Sequence, residues 1–214
     1  MNKIILFDVD GTLVDSKDAI YTSFSNVFKD NSLPIPSKNE VISFIGHPLN
    51  EMFKIFGVDS NDIDRFCMEY KNYYLKIQNN LIKILPNAIA SLKLAKSFAI
   101  LGIVTTKSSR STKELLSNFG VLNLFNVIIG REDVNHPKPN AEPILKALNS
   151  IENSKHMNAF MIGDTVLDLQ AALKSNINAI GVLSGYGNAS LLRKYSEYIF
   201  TDTLEAVEFI KNRD

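Results

Sequence analysis

Several residue types are scarce in this sequence of 214 residues. With one cysteine, Cys67, the chain cannot form an internal disulfide bond or the thiolate cage of a structural zinc site. Its three histidines, His47, His136 and His156, are too scattered to indicate a histidine metal site. The formal net charge is zero, from 23 basic and 23 acidic residues, which argues against a nucleic-acid or anionic-membrane surface. No apolar run reaches the roughly 18 residues that a membrane span needs.

The first residues also lack the features of a secretory signal peptide. A short apolar run at 4–7 leads directly into an acidic cluster, and no small-residue cleavage site follows it. We therefore expect the first strand of a folded domain almost at the N-terminus, and a protein located in the cytoplasm.

From about residue 85 onward, short apolar runs alternate with segments in which apolar residues recur at helical spacing. The runs are 99–106, 125–130, 158–163 and 178–183. Such alternation predicts parallel strands joined by right-handed crossover helices, and nearly continuous apolar strands favour a sheet covered on both faces. The sequence therefore predicts a Rossmann-like, doubly wound α/β core domain made of residues 1–15 and 85–214.

Residues 16–84 break this alternation. A helical stretch begins at Ser16, further segments with helical spacing follow, and Pro48 and Gly57 suit the start and the end of a helix. The pattern predicts a helical subdomain inserted after the first strand, here called the cap. We interpret the aromatic residues within 66–75 as packing residues of this cap.

Polar residues follow the predicted strands or, for Lys138, precede a helix, at the edge where open α/β sheets bind ligands. They are Asp8, Asp10, Thr105, Lys138, Asp164 and Asp168. A single carboxylate at such a position is often only a helix cap. Burying this whole set would cost several kcal/mol unless the charges are paired or bind a cation, so it indicates a site.

The chemistry of these groups suits phosphoryl transfer. Carboxylate oxygens are preferred ligands of Mg²⁺, whose charge reduces the repulsion between a carboxylate nucleophile and a phosphate. Asp8 could attack phosphorus to form an aspartyl-phosphate, and Asp10 could protonate the leaving oxygen and later accept a proton from water. Thr105 and Lys138 could then hold the remaining phosphoryl oxygens.

The segment DVDGTLVDS at 8–16 resembles the first motif of the haloacid dehalogenase superfamily. The other motifs follow in the order of that family: Thr105 ends ILGIVT, Lys138 lies in HPKPNAEP, and GDTVLD occupies 163–168. The resemblance covers essentially the whole chain, and the cap matches the insertion that this family carries between its first two motifs. The chain is most similar to the phosphoglycolate phosphatase-like and β-phosphoglucomutase-like branch. Asn176 stands where relatives have glycine, and it tolerates a left-handed helix end.

The resemblance implies a role for each core residue. Asp8 would be the nucleophile and Asp10 the acid and base. Asp8, the main-chain carbonyl of Asp10, and Asp164 would hold Mg²⁺. Thr105 and Lys138 would bind the phosphate, and Asp168 would position Lys138.

Four further residues are expected to contact the substrate: Gly11, His47, Thr106 and Lys107. Lys107 stands where relatives have the lysine of a T-N-K pattern, and His47 lies in the turn that is our candidate for the cap loop facing the site. Thr106 replaces the asparagine of T-N-K, and Ala141 replaces a proline of a K-P-x-P pattern. These departures concern the specific phosphoglycolate assignment and leave the catalytic set complete.

We therefore expect a Mg²⁺-dependent phosphatase that acts on a small phosphomonoester, such as a phosphoglycolate-like compound or a sugar or nucleotide phosphate. Its partner would be a small phosphorylated metabolite, without nucleic acid or membrane, and the enzyme would be a monomer or homodimer. Dehalogenation is disfavoured, because dehalogenases of this superfamily lack the second acid, Asp10. A phosphomutase shares every core motif. A non-catalytic module that binds a phosphate ester or a partner on the same fold is the other alternative.

Overall fold

The computed structural model describes residues 2–213, and these residues form eight strands. The strands are β1 (Lys3–Phe7), β2 (Val14–Asp15), β3 (Lys83–Ile84), β4 (Ala99–Val104), β5 (Val127–Ile129), β6 (Asn158–Gly163), β7 (Asn178–Val182) and β8 (Ile199–Phe200). Six of them form one parallel sheet in the order β5-β4-β1-β6-β7-β8. The chain adds strands first on one side of β1 and then on the other, so the order reverses between β1 and β6.

Helices cover both faces of this sheet. The α-helices of the described residues are α1 (Lys17–Asp30), α2 (Lys38–Ser43), α3 (Leu49–Ile55), α4 (Ile63–Leu81), α5 (Ala88–Lys96), α6 (Ser109–Asn118), α7 (Glu142–Asn149), α8 (Val166–Lys174), α9 (Ala189–Leu192) and α10 (Thr203–Lys211). Buried residues of α5, α6 and α10 share one apolar cluster, and those of α7, α8 and α9 share the other. The predicted doubly wound α/β fold is confirmed.

The central strand β1 shows why helices must cover both faces of the sheet. Ile5 and Phe7 point into one cluster, whereas Ile4 and Leu6 point into the other, and all four side chains are fully buried. Successive side chains of a strand alternate between faces, so an uninterrupted apolar run fills both layers. Each of these side chains contributes about 1.5–3 kcal/mol by leaving water.

The cap is a helical segment inserted after β1. Helices α1–α4 lie between β2 and β3, which pair antiparallel with Val14 opposite Ile84. The sequence did not predict this short pair, through which the chain enters and leaves the cap. The helical insertion is confirmed, while the exact domain limits at residues 16 and 84 stay a prediction.

Aromatic rings fill the interior of the cap. The rings of Phe24 and Phe53 stack with centroids 4.4 Å apart, and the edge of the Phe66 ring meets Phe53 at 5.5 Å. Tyr70 packs against Phe24 at 5.8 Å. For Phe66 and Tyr70, the interpretation as packing residues is therefore confirmed.

The ends of two elements, α8 and β4, can be compared with the sequence prediction. Asn176, just after α8, has a φ of 56°, so the expected left-handed helix end is confirmed. The strand predicted at 99–106 ends at Val104, although the Thr105 N–H still donates to the carbonyl of Ile129 in the neighbouring strand β5. The sequence did not predict β8 or α10. Within residues 2–213, no helix is both long and apolar enough to cross a membrane.

Candidate active site

Asp8 lies at the centre of the carboxyl edge of the sheet. It follows β1 directly, and its N–H donates to the carbonyl of Ile162 at 3.0 Å, which extends the pairing of β1 with β6. Asp164 follows β6 directly, so the parallel register places the two aspartates side by side. Asp8 is 3% exposed. The edge where the strand order reverses therefore carries two neighbouring carboxylates, as expected for an open α/β sheet.

Lys138 is buried against these carboxylates. Its Nζ lies 2.9 Å from Asp8 Oδ1 and 2.5 Å from Asp168 Oδ1, and it donates to the carbonyl of Val104 at 2.9 Å. The ammonium therefore donates to Asp168 and to Val104, and it forms an ion pair with Asp8. Burial by itself would lower the pKa of Lys138, but the charges of Asp168 and Asp8 outweigh burial and raise the pKa. Lys138 is therefore a fixed cation beside the expected nucleophile.

Asp168 holds Lys138 in place. Its Oδ2 accepts hydrogen bonds from the N–H of Thr165 at 3.0 Å and from the Thr165 hydroxyl at 2.7 Å, which caps the start of α8. Its Oδ1 faces Lys138. The backbone at Gly163 leaves no room for a side chain, because a Cβ there would lie 2.3 Å from the Cβ of Asp168. Both oxygens of Asp168 are thus engaged in holding neighbouring groups.

Asp164 is held from two sides. The Thr12 hydroxyl donates to its Oδ1 at 3.1 Å, and the N–H of Tyr186 donates to its Oδ2 at 2.8 Å. Burial raises the pKa of Asp164 well above its ordinary value, and the nearby charges of Asp168 and Asp8 raise it further. Burial also raises the pKa of Asp8 to about 6, although Lys138 opposes the shift. A cation at this position would relieve the cost of both charges.

The residues fit a small divalent cation. Among residues 2–213, one carboxylate oxygen each from Asp8, Asp164 and Asp168 lie within 4.8 Å of one another. Asp8 Oδ1 is buried and accepts no hydrogen bond from the described residues, because Lys138 approaches it outside hydrogen-bond geometry. Asp168 already neutralises the Lys138 ammonium at 2.5 Å and caps α8, whereas Asp164 accepts hydrogen bonds from neutral donors only. Asp8 and Asp164 therefore remain the expected carboxylate ligands. The expected third ligand, the carbonyl of Asp10, stays a prediction.

Gly11 closes the turn between these groups. Its φ is +88°, and a Cβ at this position would lie 2.3 Å from Asp164 Oδ2. Both the left-handed backbone and the close approach require glycine. The structure therefore gives Gly11 a packing role against Asp164, and its contact with substrate stays a prediction.

A residue of the cap completes the site beside Asp10. Lys107 Nζ lies 3.4 Å from Asp10 Oδ1, donates to the Tyr74 hydroxyl, and is 4.1 Å from the centre of the Tyr74 ring. Tyr74 belongs to α4, and the Lys107 side chain is only 8% exposed. Burial and the charge of Asp10 raise the pKa of Tyr74 well above its ordinary value, so its hydroxyl stays protonated. The sequence interpretation of Tyr74 as a packing residue missed this contact.

Thr105 and Thr106 follow β4 at the same edge of the sheet, whereas His47 lies in the cap between α2 and α3. The Thr105 N–H donates to the carbonyl of Ile129 at 3.0 Å, and its hydroxyl accepts from the Lys107 N–H at 3.2 Å. The Thr106 hydroxyl donates to the carbonyl of Gly46 at 3.0 Å, so it joins the core to the cap loop. His47 Nδ1 lies 3.6 Å from Glu51 Oε2 within the cap. Substrate contacts by Thr106 and His47 stay predictions.

Comparison with known proteins identifies the family. Residues 5–182 match the family described as haloacid dehalogenase-like hydrolase. The chain belongs to this family. The expected resemblance and the expectation of a hydrolytic enzyme are confirmed.

Similar proteins extend over nearly the whole chain. Pyrophosphatase PpaX of Oceanobacillus iheyensis is 28% identical over 210 residues, which cover 97% of this hydrolase and 96% of that protein. Pyrophosphatase PpaX of Bacillus velezensis is 31% identical over 206 residues, with 91% and 94% covered. A haloacid dehalogenase-like family hydrolase from Streptococcus pneumoniae has a similar solved structure, with a TM-score of 0.84 and 28% identity over 97% of both chains.

Sequence reasoning missed a further part of the site in this hydrolase. The segment Gly-Tyr-Gly at 185–187, interpreted only as a turn, lies on Asp164. A Cβ on Gly185 would be 2.1 Å from Asp164 Oδ2, and one on Gly187 would be 1.8 Å from the Asp164 carbonyl oxygen. The available signal was the position of this segment directly after a strand of the same parallel sheet, β7.

Proposed function

We propose that this hydrolase is a Mg²⁺-dependent phosphatase that cleaves a small phosphate compound through an aspartyl-phosphate on Asp8. The observation that carries the proposal is the pairing of buried Asp8 with Lys138 at 2.9 Å, beside Asp164 at the carboxyl edge of the sheet. A nucleophilic carboxylate next to a fixed cation and a second carboxylate is the arrangement that phosphoryl transfer to an aspartate requires.

Substrate binding depends on groups that the fold holds rigidly. Lys138 and the Thr105 hydroxyl would bind the non-bridging oxygens of the phosphoryl group, and Asp168 keeps the Lys138 ammonium oriented. Asp8 and Asp164 would hold the cation. When bound, Mg²⁺ would supply positive charge that reduces the repulsion between the Asp8 carboxylate and the phosphoryl oxygens.

The reaction would proceed in two displacements at phosphorus. In the first, a carboxylate oxygen of Asp8 forms a bond to phosphorus while the bond from phosphorus to the leaving oxygen breaks, and Asp10 gives its proton to that oxygen. In the second, water attacks phosphorus, Asp10 takes a proton from it, and the bond to Asp8 breaks. Inorganic phosphate leaves, and both aspartates return to their starting protonation.

The neighbourhood of Asp10 favours a small, negatively charged leaving group. The Lys107 ammonium lies 3.4 Å from Asp10 Oδ1, so it would lie beside the atom that receives the proton. Tyr74 and the Gly46 carbonyl bring the cap close to this position, which limits the space for a bulky group. Because two relatives are named pyrophosphatases, pyrophosphate is the first candidate substrate, followed by phosphoglycolate. We expect the enzyme to act on such metabolites in the cytoplasm.

The test is phosphate release from a panel that contains pyrophosphate, phosphoglycolate, sugar phosphates, nucleoside monophosphates and p-nitrophenyl phosphate. We expect release that requires Mg²⁺, stops with EDTA, and is fastest with pyrophosphate or phosphoglycolate. Asp8→Asn should abolish turnover, whereas Asp18→Asn, at an exposed ion pair of the cap with Lys38, should not. Full turnover by Asp8→Asn would refute the mechanism. Isomerisation of β-glucose 1-phosphate without phosphate release would instead identify a mutase.

A further inference from the structure

The loop at 184–187 contacts the two central segments of the site. It follows β7 at the same edge of the sheet. The Ser184 hydroxyl donates to the carbonyl of Gly11 at 3.2 Å, and the Tyr186 N–H donates to Asp164 Oδ2 at 2.8 Å. The loop therefore holds both the turn after β1 and the carboxylate after β6.

The backbone of this loop rests directly on Asp164. A Cβ on either Gly185 or Gly187 would come within 2.1 Å of an atom of Asp164. Real Cβ atoms do not approach other atoms this closely, so the two segments are in tight contact. A displacement of the loop must therefore displace the Asp164 carboxylate or break its hydrogen bond to Tyr186.

The side chain of Tyr186 reaches a different part of the molecule. Its hydroxyl accepts a hydrogen bond from the Ser16 N–H at 2.8 Å and donates one to Asp15 Oδ1 at 3.1 Å. A tyrosine hydroxyl has one proton to donate, and here it is used while the oxygen also accepts. Asp15 is further held by Lys17, whose Nζ lies 2.7 Å from Asp15 Oδ2.

Asp15 and Ser16 form the linker through which the chain leaves the core for the cap. Asp15 ends β2, which pairs with β3 on the returning chain, and α1 begins at Lys17. Within the described residues, the Ser16 side chain makes no capping hydrogen bond to α1. The Tyr186 hydroxyl thus holds the backbone where the first cap helix starts. A rotation of the cap about its two connections must change the backbone here.

We propose that Tyr186 is a positioning residue that couples the linker of the cap to the carboxylate of Asp164. One residue bonds the linker through its hydroxyl and the carboxylate through its backbone N–H. A change at the linker is transmitted to Asp164 through a short rigid loop, and a change at Asp164 is transmitted back. The coupling is a property of the chain alone and requires neither the cation nor the substrate of the proposed function.

The test is a double-mutant cycle on the full chain without metal and without substrate. Amide hydrogen exchange of the linker at 14–18 is measured in the wild type, Tyr186→Phe, Asp164→Ala and the double variant. Tyr186→Phe should speed exchange at Ser16 about tenfold, the factor expected for the loss of one hydrogen bond. Asp164→Ala should also speed it, because the loop loses its anchor. If the two act through one path, the double variant should exchange no faster than Tyr186→Phe.

Two controls separate coupling from general loosening of the structure. Tyr198→Phe makes the same chemical change at the far edge of the sheet, where the ring packs 4.9 Å from Phe209, and should leave linker exchange unchanged. Exchange in β1 should stay slow in every variant. If Asp164→Ala does not fold, Ser184→Ala replaces it, since this change also loosens the loop.

Two results would overturn the proposal. In one, the linker of Tyr186→Phe exchanges at the wild-type rate. In the other, the two substitutions speed exchange by independent factors that multiply in the double variant. Either result concerns the metal-free chain, so it is distinguishable from a failure of the proposed phosphatase activity.

Discussion

Lys107 of the core and Tyr74 of the cap are in direct contact. The Lys107 ammonium donates to the Tyr74 hydroxyl and lies 4.1 Å from the centre of its ring. The same ammonium lies 3.4 Å from Asp10, so a cap residue is one contact away from the expected acid and base. Because an ammonium group is attracted to the face of an aromatic ring, Tyr74 favours this position of the Lys107 side chain.

The first prediction concerns Asp10. Asp10→Asn should slow the reaction most for substrates with a poor leaving group, because an alkoxide needs a proton as it leaves and p-nitrophenolate does not. We expect kcat to fall about 10²–10⁴-fold on a sugar phosphate and much less on p-nitrophenyl phosphate. Steady-state kinetics on both substrates measures this difference. Equal losses would contradict the role of Asp10 as acid.

The second prediction concerns Tyr74. Tyr74→Leu removes both the ring and the hydroxyl beside Lys107, and should lower kcat/KM for pyrophosphate about tenfold, in line with a desolvated cation–π contact. Tyr74→Phe keeps the ring and should lower kcat/KM for pyrophosphate by a smaller factor. The matched control is Tyr73→Phe on the same helix, whose hydroxyl bonds Asp30 instead. An equal loss on pyrophosphate and on p-nitrophenyl phosphate would show that Tyr74 does not act on the leaving group.

The third prediction concerns the buried pair of Lys138 and Asp168. Asp168→Asn leaves the ammonium with Asp8 as its charged partner and removes an acceptor from Thr165, so we expect the free energy of unfolding to fall by about 3–5 kcal/mol. Urea denaturation measures this change. The exposed pair of Asp62 with Arg65 provides a control, because Asp62→Asn should cost less than about 1 kcal/mol. If Asp168→Asn and Asp62→Asn lowered the free energy of unfolding by the same amount, the structural role of Asp168 would be contradicted.

The fourth prediction concerns pH and the start of α6, which follows the loop of Thr105 and Lys107. Glu132 accepts hydrogen bonds from the Ser109 N–H at 2.9 Å and from its hydroxyl at 2.8 Å. Burial opposes ionisation of Glu132, but these bonds and those from nearby backbone N–H groups outweigh it and lower the pKa below 4.5. The stabilisation that ionised Glu132 gives the folded state is present above pH 4.5. It is lost as the pH falls through the pKa of Glu132 in the folded state, which is below 4.5.

Glu132→Gln should therefore reduce the free energy of unfolding by less than about 1 kcal/mol at neutral pH, because Glu132 is exposed and solvent screens its charge. The difference from wild type should shrink in acid. Urea denaturation at neutral pH and at about pH 3, below the ordinary pKa of glutamate, checks both parts. The control is Glu114→Gln, which changes an exposed glutamate on α6. A difference that does not depend on pH would show that the charge of Glu132 is not responsible.

Asp8, Thr105 and Asp164 could be placed at one edge of the sheet because each of them directly follows a parallel strand. Asp8 and Asp164 each follow a parallel strand, and parallel strands end at one edge of the sheet, so the sequence predicted a shared edge. That their two strands are direct neighbours was decided by the structure. The helical insertion was predictable from the loss of alternation after residue 16. The pair of β2 and β3 was not, because two residues per strand are too few for a periodic pattern.

By itself, the sequence determined the chemical groups of the site, the core strands that precede several of them, and the family. These properties depend on local periodicity and on short motifs, which are present in consecutive residues. Only the tertiary structure decided that Tyr74 contacts Lys107 and that Tyr186 joins Asp164 to the linker at Asp15. Those contacts depend on how a helix of the cap and a loop of the core are oriented in space, and residues far apart in the chain carry no local pattern that records this orientation.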